Sequence, residues 1–321
     1  MRPYLQILYL LVEKAPSALL RSTASAELTN QIPFRSSVSH WNLFDWAASR
    51  VFQCSAYALT LVLSIMPPVT SSAQDEIEAT PNRPGVGTPA DVTHKGVLEL
   101  EYGWERAFRS HEFKTSTDFA GLVKFGLAQD IELRFNMDNY ISQHLIDREG
   151  RRSGVGDIAP GFKYRFLSQD AIRPSLAIAY EVKIPTASEK KGLGSGRYDH
   201  SLSFLASKDL LGFECNFTYL LGWLGKEKKG FDDLHLLALS GSHPIFGALG
   251  ISGEVYGAFR LNRETPGFLS TDWALTYAVT PRLVLDGGVD IGLTSAAKDI
   301  AYFAGVTIAL VDLYRLFGLT W

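Results

Sequence analysis

From Gly96 to about Leu310 apolar and polar side chains alternate along the chain, and the alternation restarts after each turn. Between Lys95 and Glu105, Leu98, Leu100, Tyr102 and Trp104 stand against Val97, Glu99, Glu101, Gly103 and Glu105. Successive strand residues point to opposite sheet faces, so a period of two means one apolar face and one wet face. The pattern predicts strands over 96–106, 113–126, 131–141, 155–167, 173–184, 198–208, 212–224, 233–243, 248–261, 268–279, 282–293 and 300–311. No convincing amphipathic helix interrupts them. The number is even, as single-chain bacterial barrels require. Each segment is also long enough for the ~9–11 residues of a tilted membrane crossing. The fold class predicted is all-β, an antiparallel transmembrane β-barrel of about 12 strands.

The connections carry separate information. Counted from the first, the odd ones are longer, charged and Gly-rich, such as 142–154, 185–197 and 225–232. The even ones are tight: Ala128-Gln129-Asp130, Ser168-Gln169-Asp170, Leu210-Leu211 and Thr280-Pro281. Outer-membrane barrels have short periplasmic turns and longer external loops, so this parity fits a periplasmic N-terminus. A soluble sandwich has shorter strands and no reason for such alternation.

Each strand has an apolar set, such as Leu176, Ile178, Tyr180, Val182 and Ile184, or Phe213, Cys215, Phe217, Tyr219, Leu221 and Trp223. A charge on the lipid face near the midplane costs ~2–4 kcal/mol, so the charged set must face the lumen. That assigns Glu99, Glu101, Asp118, Glu132, Arg134, Asp157, Lys163, Arg165, Glu181, Lys183, Arg260, Asp286 and Asp290 to the interior. Lys124, Asp138, Glu214 and Glu254 join them in the same register. Both signs occur, so strong single-sign selectivity is not expected. The list fits a hydrophilic pathway and equally a salt-bridged, packed interior. Aromatics near strand ends, Trp104, Tyr140, Tyr164, Trp223, Phe268 and Tyr302, are expected as interfacial girdles.

Ahead of the strands lies an apolar run from Cys54 to Met66, too short for a membrane-spanning helix. Arg50 precedes it, Pro67-Pro68 ends it, and Ser71-Ser72-Ala73 follow. This is the layout of a secretory signal peptide, with cleavage expected after Ala73. Val51-Phe52-Gln53 lack the small residues of a lipoprotein site at Cys54. Residues 1–49 fit a signal poorly; translation from a later non-Met codon near Leu43 or Val51, or a long n-region, would account for them. The expected organisation is residues 1–73 as N-terminal extension plus signal peptide, 74–95 as a periplasmic lead-in able to tuck into the barrel mouth, and 96–321 as the barrel.

Composition changes this picture little. A net charge of −3 with no basic stripe excludes a nucleic-acid partner. A hydrophobic content of 46% suits a soluble protein or a barrel whose polar interior cancels its exterior. The seven His are scattered, and a single Cys in the mature part cannot complete a thiolate site, so no metal or cofactor is expected. Gly192-Leu193-Gly194-Ser195-Gly196 precedes a strand and not a helix, so it reads as a flexible external loop. His200-Ser201 and Ser242-His243 are adjacent strand residues pointing to opposite faces, which leaves no local nucleophile and base.

Several motifs resemble the meta-pathway phenol-degradation family of transporter-like outer-membrane proteins. They are Asn82-Arg83-Pro84-Gly85, Gly96-Val97-Leu98-Glu99-Leu100-Glu101-Tyr102-Gly103, Gly154-Val155-Gly156-Asp157, Gly161-Phe162-Lys163-Tyr164-Arg165-Phe166, Ile184-Pro185-Thr186 and Leu283-Val284-Leu285-Asp286-Gly287-Gly288. The resemblance spans about 80–310. It departs at Ala187-Ser188, where the family usually continues with Gly. It implies a passive outer-membrane channel for small compounds, aromatic or hydrophobic ones included, and no catalytic residue. The alternatives are a plugged structural or interaction barrel and a lipid-modifying barrel enzyme. The partners expected are outer-membrane lipid, a small-molecule solute, and the barrel-assembly machinery acting through a C-terminal strand. Leu313, Phe317, Leu319 and Trp321 are the candidates for that terminal signal.

Overall fold

The computed structural model describes residues 77–110, 113–146, 150–227, 229–259 and 266–319. The expected signal peptide and the chain before it lie outside these, as do Arg260 and Trp321. The strands are β1 (Val97–Phe108), β2 (Phe113–Ala128), β3 (Ile131–Leu145), β4 (Arg151–Gly154), β5 (Ile158–Leu167), β6 (Ser175–Lys183), β7 (Asp199–Leu210), β8 (Phe213–Gly225), β9 (Phe231–Phe246), β10 (Leu249–Ala258), β11 (Phe268–Thr280), β12 (Leu283–Gly292) and β13 (Ile300–Asp312). Consecutive strands pair antiparallel, and β1 pairs with both β2 and β13, which closes the sheet. β4 and β5 both pair with β3 and form one interrupted wall strand, so the barrel has twelve. Across the interruption at 155–157 the register with β3 is unchanged, and Gly156 N–H donates to Asp138 O while Asp138 N–H donates to Asp157 O.

Two of the tight turns are built by different chemistry. Leu211 (φ 52°) and Gly212 (φ 87°) form a two-residue turn in the left-handed region, which matches the twist of the flanking strands. In the 168–174 turn the Asp170 carboxylate accepts N–H bonds from Arg173 and Ile172 and pairs with the Arg173 guanidinium. These contacts hold its carboxyl well below the usual carboxylate range.

The wall is inside-out relative to a soluble protein. Phe162, Tyr164, Phe204, Phe217, Leu239, Trp273 and Leu275 are exposed on its outer face, whereas Glu99, Lys124, Glu132 and Lys163 are fully buried inside. An apolar surface running round a whole barrel is tolerable only against lipid. The outer face also carries ladders of rings. Phe204, Tyr219, His235 and Phe259 follow one another with centroids 6.0–6.5 Å apart.

Two expectations change. Phe268 is not in a girdle; it turns inward and packs edge-on against Tyr256 at 6.0 Å, while its neighbour Leu269 takes the outward position. The chain after β13 is also not strand. The Asp312 carboxylate accepts the N–H groups of Tyr314 and Arg315 and caps a short helix, Leu313–Leu316. Tyr314 then anchors on β2, its hydroxyl donating to Leu127 O and its ring 5.7 Å from that of Phe125. Leu313, Phe317 and Leu319 therefore lie beyond the closing strand.

Candidate functional site: the lumen and its internal segment

Residues 79–93 run inside the barrel and make a circuit of the wall, deeper than a segment tucked at the mouth. The segment enters at the periplasmic end, where Ala79 N–H donates to Pro281 O at 2.9 Å. Thr80 and Asn82 then donate backbone N–H to Glu99 and Glu101 of β1, both at 2.8 Å. Val86 and Gly87 donate to the two oxygens of Glu254 on β10, both at 2.6 Å. Thr88 donates to Thr218 on β8, Ala90 to Ser207 on β7 and Thr93 to Glu132 on β3. The wall's cations take the carbonyls. Lys124 reaches Thr80 O at 2.5 Å, and Lys163 reaches Asp91 O at 2.6 Å and Pro89 O at 3.1 Å. An extended chain without a strand partner must satisfy its backbone elsewhere. Here the inward polar residues do so, one strand after another round the ring.

Arg83 carries a charge of the segment's own to the wall. Its guanidinium meets the Asp286 carboxylate in a two-point pair at 2.8 and 2.9 Å, with side-chain exposures of 5% and 3%. A Cβ on Gly103 of β1 or Gly305 of β13 would overlap the guanidinium, so these glycines are its cradle. Three motifs distant in sequence thus meet at one point: Asn82-Arg83-Pro84-Gly85, the Glu101-Tyr102-Gly103 end of the β1 motif, and Asp286. A cavity of about 10 Å3, lined by Arg83, Gly103, Glu105, Asp118 and Phe303 among others, lies beside the pair. It has room for about one water.

Above the segment the lumen wall stops being uniformly polar. Leu220 and Leu224 of β8, Leu234, Leu236 and Ala238 of β9, and Tyr256 and Ala258 of β10 point inward and form one cluster, none more than 6% exposed. Val86 belongs to it from the segment and Leu122 from β2 on the far side of the ring. Period-two reading could have marked these leucines, because they share the inward parity of Asn216 and Thr218. An apolar residue on a polar face is a weak signal when charged neighbours dominate the strand.

The external mouth is narrowed by the 184–198 connection, which folds inward and is not a free loop. Leu193 at its tip is 1% exposed. Gly192 (φ 65°) and Gly196 (φ 66°) supply the left-handed turns on either side. Lys183 anchors the fold, lying 2.5 Å from Asp199, 3.5 Å from Asp157 and 2.8 Å from Ser195 Oγ. Ala187 N–H donates to Asp157 at 2.8 Å, which links the two loop motifs.

The residues assigned to the interior fall into three groups. Glu99, Glu101, Glu132, Lys163, Arg165 and Asp286 hold the segment, Arg165 through Asp91 at 3.1 Å. Arg134 pairs with Glu181 at 3.2 Å, and Asn136 donates to the same carboxylate. Towards the external end lie Asp118, which accepts from Ser116, then Asp157 and Lys183 with the loop, and Asp290, which takes Lys298 at 3.2 Å and the Tyr256 hydroxyl. Among the described residues no group of His, Cys, Asp and Glu has metal-binding geometry. His200 and His235 lie on the outer face, each with Nδ1 against a tyrosine hydroxyl, Tyr180 and Tyr219, at 2.8 and 2.7 Å. Ser201 is buried on the inner face.

A closed twelve-stranded wall with an apolar outside defines an outer-membrane β-barrel of the bacterial kind. The family model described as "Putative MetA-pathway of phenol degradation" matches residues 81–310, and the chain belongs to that family. An outer membrane channel from Pseudomonas putida F1 shares the fold, with 12% identity over 74% of this chain and 99% of that one and a TM-score of 0.54. The NanC porin has 12% identity over 66% of this chain and 98% of its own, with a TM-score of 0.47. The CymD monoaromatic hydrocarbon channel has 10% identity over 69% and 90%, with a TM-score of 0.39. No curated protein sequence matches the chain.

Proposed function

We propose that this protein is a passive channel of the bacterial outer membrane for small compounds, aromatic and hydrophobic ones included. One observation carries the reading: what fills the lumen beside the wall is a separate segment of chain. A small barrel packed by its own inward side chains has no room for such a guest. This one encloses residues 79–93, held through hydrogen bonds and ion pairs. Moving that segment leaves a lumen lined by both signs of charge and by an apolar stripe. The family description, which refers to phenol degradation, supports the aromatic part of the solute class.

The plugged-barrel reading draws on the same residues, because Glu99, Lys124, Glu132 and Lys163 are fully buried as the lumen stands. No catalytic role is proposed. The Ser/His neighbours are divided between the two faces; the His200 imidazole is engaged by Tyr180, and the His243 ring packs against Phe213. The assembly machinery would read β13 itself, through outward residues such as Tyr302, and not the capped helix that follows.

Flux through the refolded protein in liposomes separates the readings. With 4-hydroxybenzoate at mildly alkaline pH and with arabinose, entry faster than into protein-free vesicles is expected. Rates equal to protein-free vesicles for both solutes would remove the channel reading in favour of the plug.

A further inference from the structure

We infer that the apolar stripe on the inner face of β8–β10 is a binding subsite for the ring of an aromatic solute, and that Val86 is its built-in occupant. The inference rests on the channel reading above and adds where in the lumen the solute binds and what it displaces.

The stripe is continuous along the barrel. The ladder pairs Leu224 with Asp232, Gly222 with Leu234, Leu220 with Leu236 and Thr218 with Ala238. On the next strand Tyr256 pairs with Ala238 and Ala258 with Leu236. Leu224 is the penultimate residue of β8 at the external end, and Ala238 is opposite Thr218, which holds the segment. An apolar surface therefore descends from the external rim to the point where the segment crosses. The other inward apolar clusters among the described residues are smaller and mostly alanine, and between them the interior carries ion pairs, where an apolar ring gains nothing and the charges lose water. The stripe is where burying a ring is favourable.

Val86 has the form of an internal ligand. It lies between Gly85 and Gly87, and a Cβ on either would be 2.8 or 2.6 Å from a Glu254 oxygen. The tip is thus pressed against β10 with only the Val86 side chain offered to the leucines. The tip is held by two N–H bonds to the Glu254 carboxylate and by Thr88 on the Thr218 hydroxyl, all through neutral donors, whereas the flanking parts of the segment are fixed by the Arg83–Asp286 pair and by Lys163. Residues 85–88 can leave while both anchors stay. The vacated surface is apolar on one side and bears the Glu254 carboxylate and the Tyr256 hydroxyl on the other. That suits a ring with a hydroxyl or another hydrogen-bond donor, which Glu254 would accept as it now accepts Val86 N–H.

The test locks the tip. The full chain carries Val86→Cys and Leu236→Cys, with Cys54 and Cys215 replaced by Ser. Heat-shifted gel migration confirms the barrel. 4-Hydroxybenzoate is the probe, read by liposome flux and by saturation transfer from protein methyl groups to the ring protons. Oxidation is expected to lower 4-hydroxybenzoate flux several-fold and to abolish the transfer, and reduction to restore both. Equal flux and equal transfer in the two redox states would overturn the subsite. If no form carries flux, the channel reading fails alone: transfer in the reduced form only would still support the subsite, and its absence from both forms would overturn it. Leu220→Thr, without a crosslink, is expected to lower 4-hydroxybenzoate flux relative to arabinose, and an unchanged ratio would count against the proposal.

Discussion

Arg83 shows how one side chain can organise a lumen. Its guanidinium lies over two glycines that leave space for it and between β1, β12 and β13, where the ring closes. Removing one partner of a buried pair strands the other charge, which typically costs about 3–5 kcal/mol. Arg83→Ala is therefore expected to lower the unfolding free energy of the refolded barrel by about 3 kcal/mol, measured by guanidinium titration in lipid vesicles. A loss within error would show that Asp286 finds solvent or another partner. Lysine is a poor substitute, because it cannot make the two-point contact. The pair was half legible beforehand. Asp286 has inward parity and a motif around it, but Arg83 lies outside the strands, where no periodicity says which way a side chain points.

At the scale of elements, the 184–198 connection contradicts its own composition. Gly-rich and charged, it reads as a free loop, yet Leu193 is buried and Lys183 ties both ends through Asp157, Asp199 and Ser195. The glycines are there for left-handed turns that fold the loop inward. Lys183→Met leaves Asp157 and Asp199 without their shared cation, and the loop is expected to open. Trypsin cleavage at Lys190 and Lys191 should then accelerate on the order of tenfold, corresponding to roughly 1.4 kcal/mol of lost closing free energy. Unchanged cleavage would mean that Leu193 alone holds the loop. The end of β13 has a similar lesson. The apolar residues after it look like a continued strand, but Asp312 supplies a helix cap, and a cap acts on geometry that alternation does not report.

At the scale of the molecule, the wall and its occupant are separable. The strand ladder closes through β1 and β13 without help from residues 77–95. Deleting residues 77–93 is therefore expected to leave a folded, heat-shifting barrel with single-channel conductance several-fold above the full chain in planar bilayers. The carboxylates and lysines that held the segment would be hydrated in the widened lumen. Failure of the deleted form to fold would show that the segment is part of the assembly pathway, and an unchanged conductance would place the narrowest point at the external loop.

By itself the sequence determined the barrel. Period-two alternation, strand length and loop parity are local properties, and lipid outside with water inside turns each into a statement about a face. For the same reason it assigned a set of charged residues to the inner face, since a charge in lipid costs more than any local preference; Arg260 of that set lies outside the described residues, and the buried Asp199 and Asp272 are not in it. The tertiary structure alone decided what those residues face. Glu99, Glu101 and Glu254 hold the backbone of a segment from the same chain, and Leu220, Leu224, Leu234 and Leu236 gather around Val86. Neither follows from alternation. Parity assigns a side to each residue, but only closing the ring brings strands separated by half the chain around one axis.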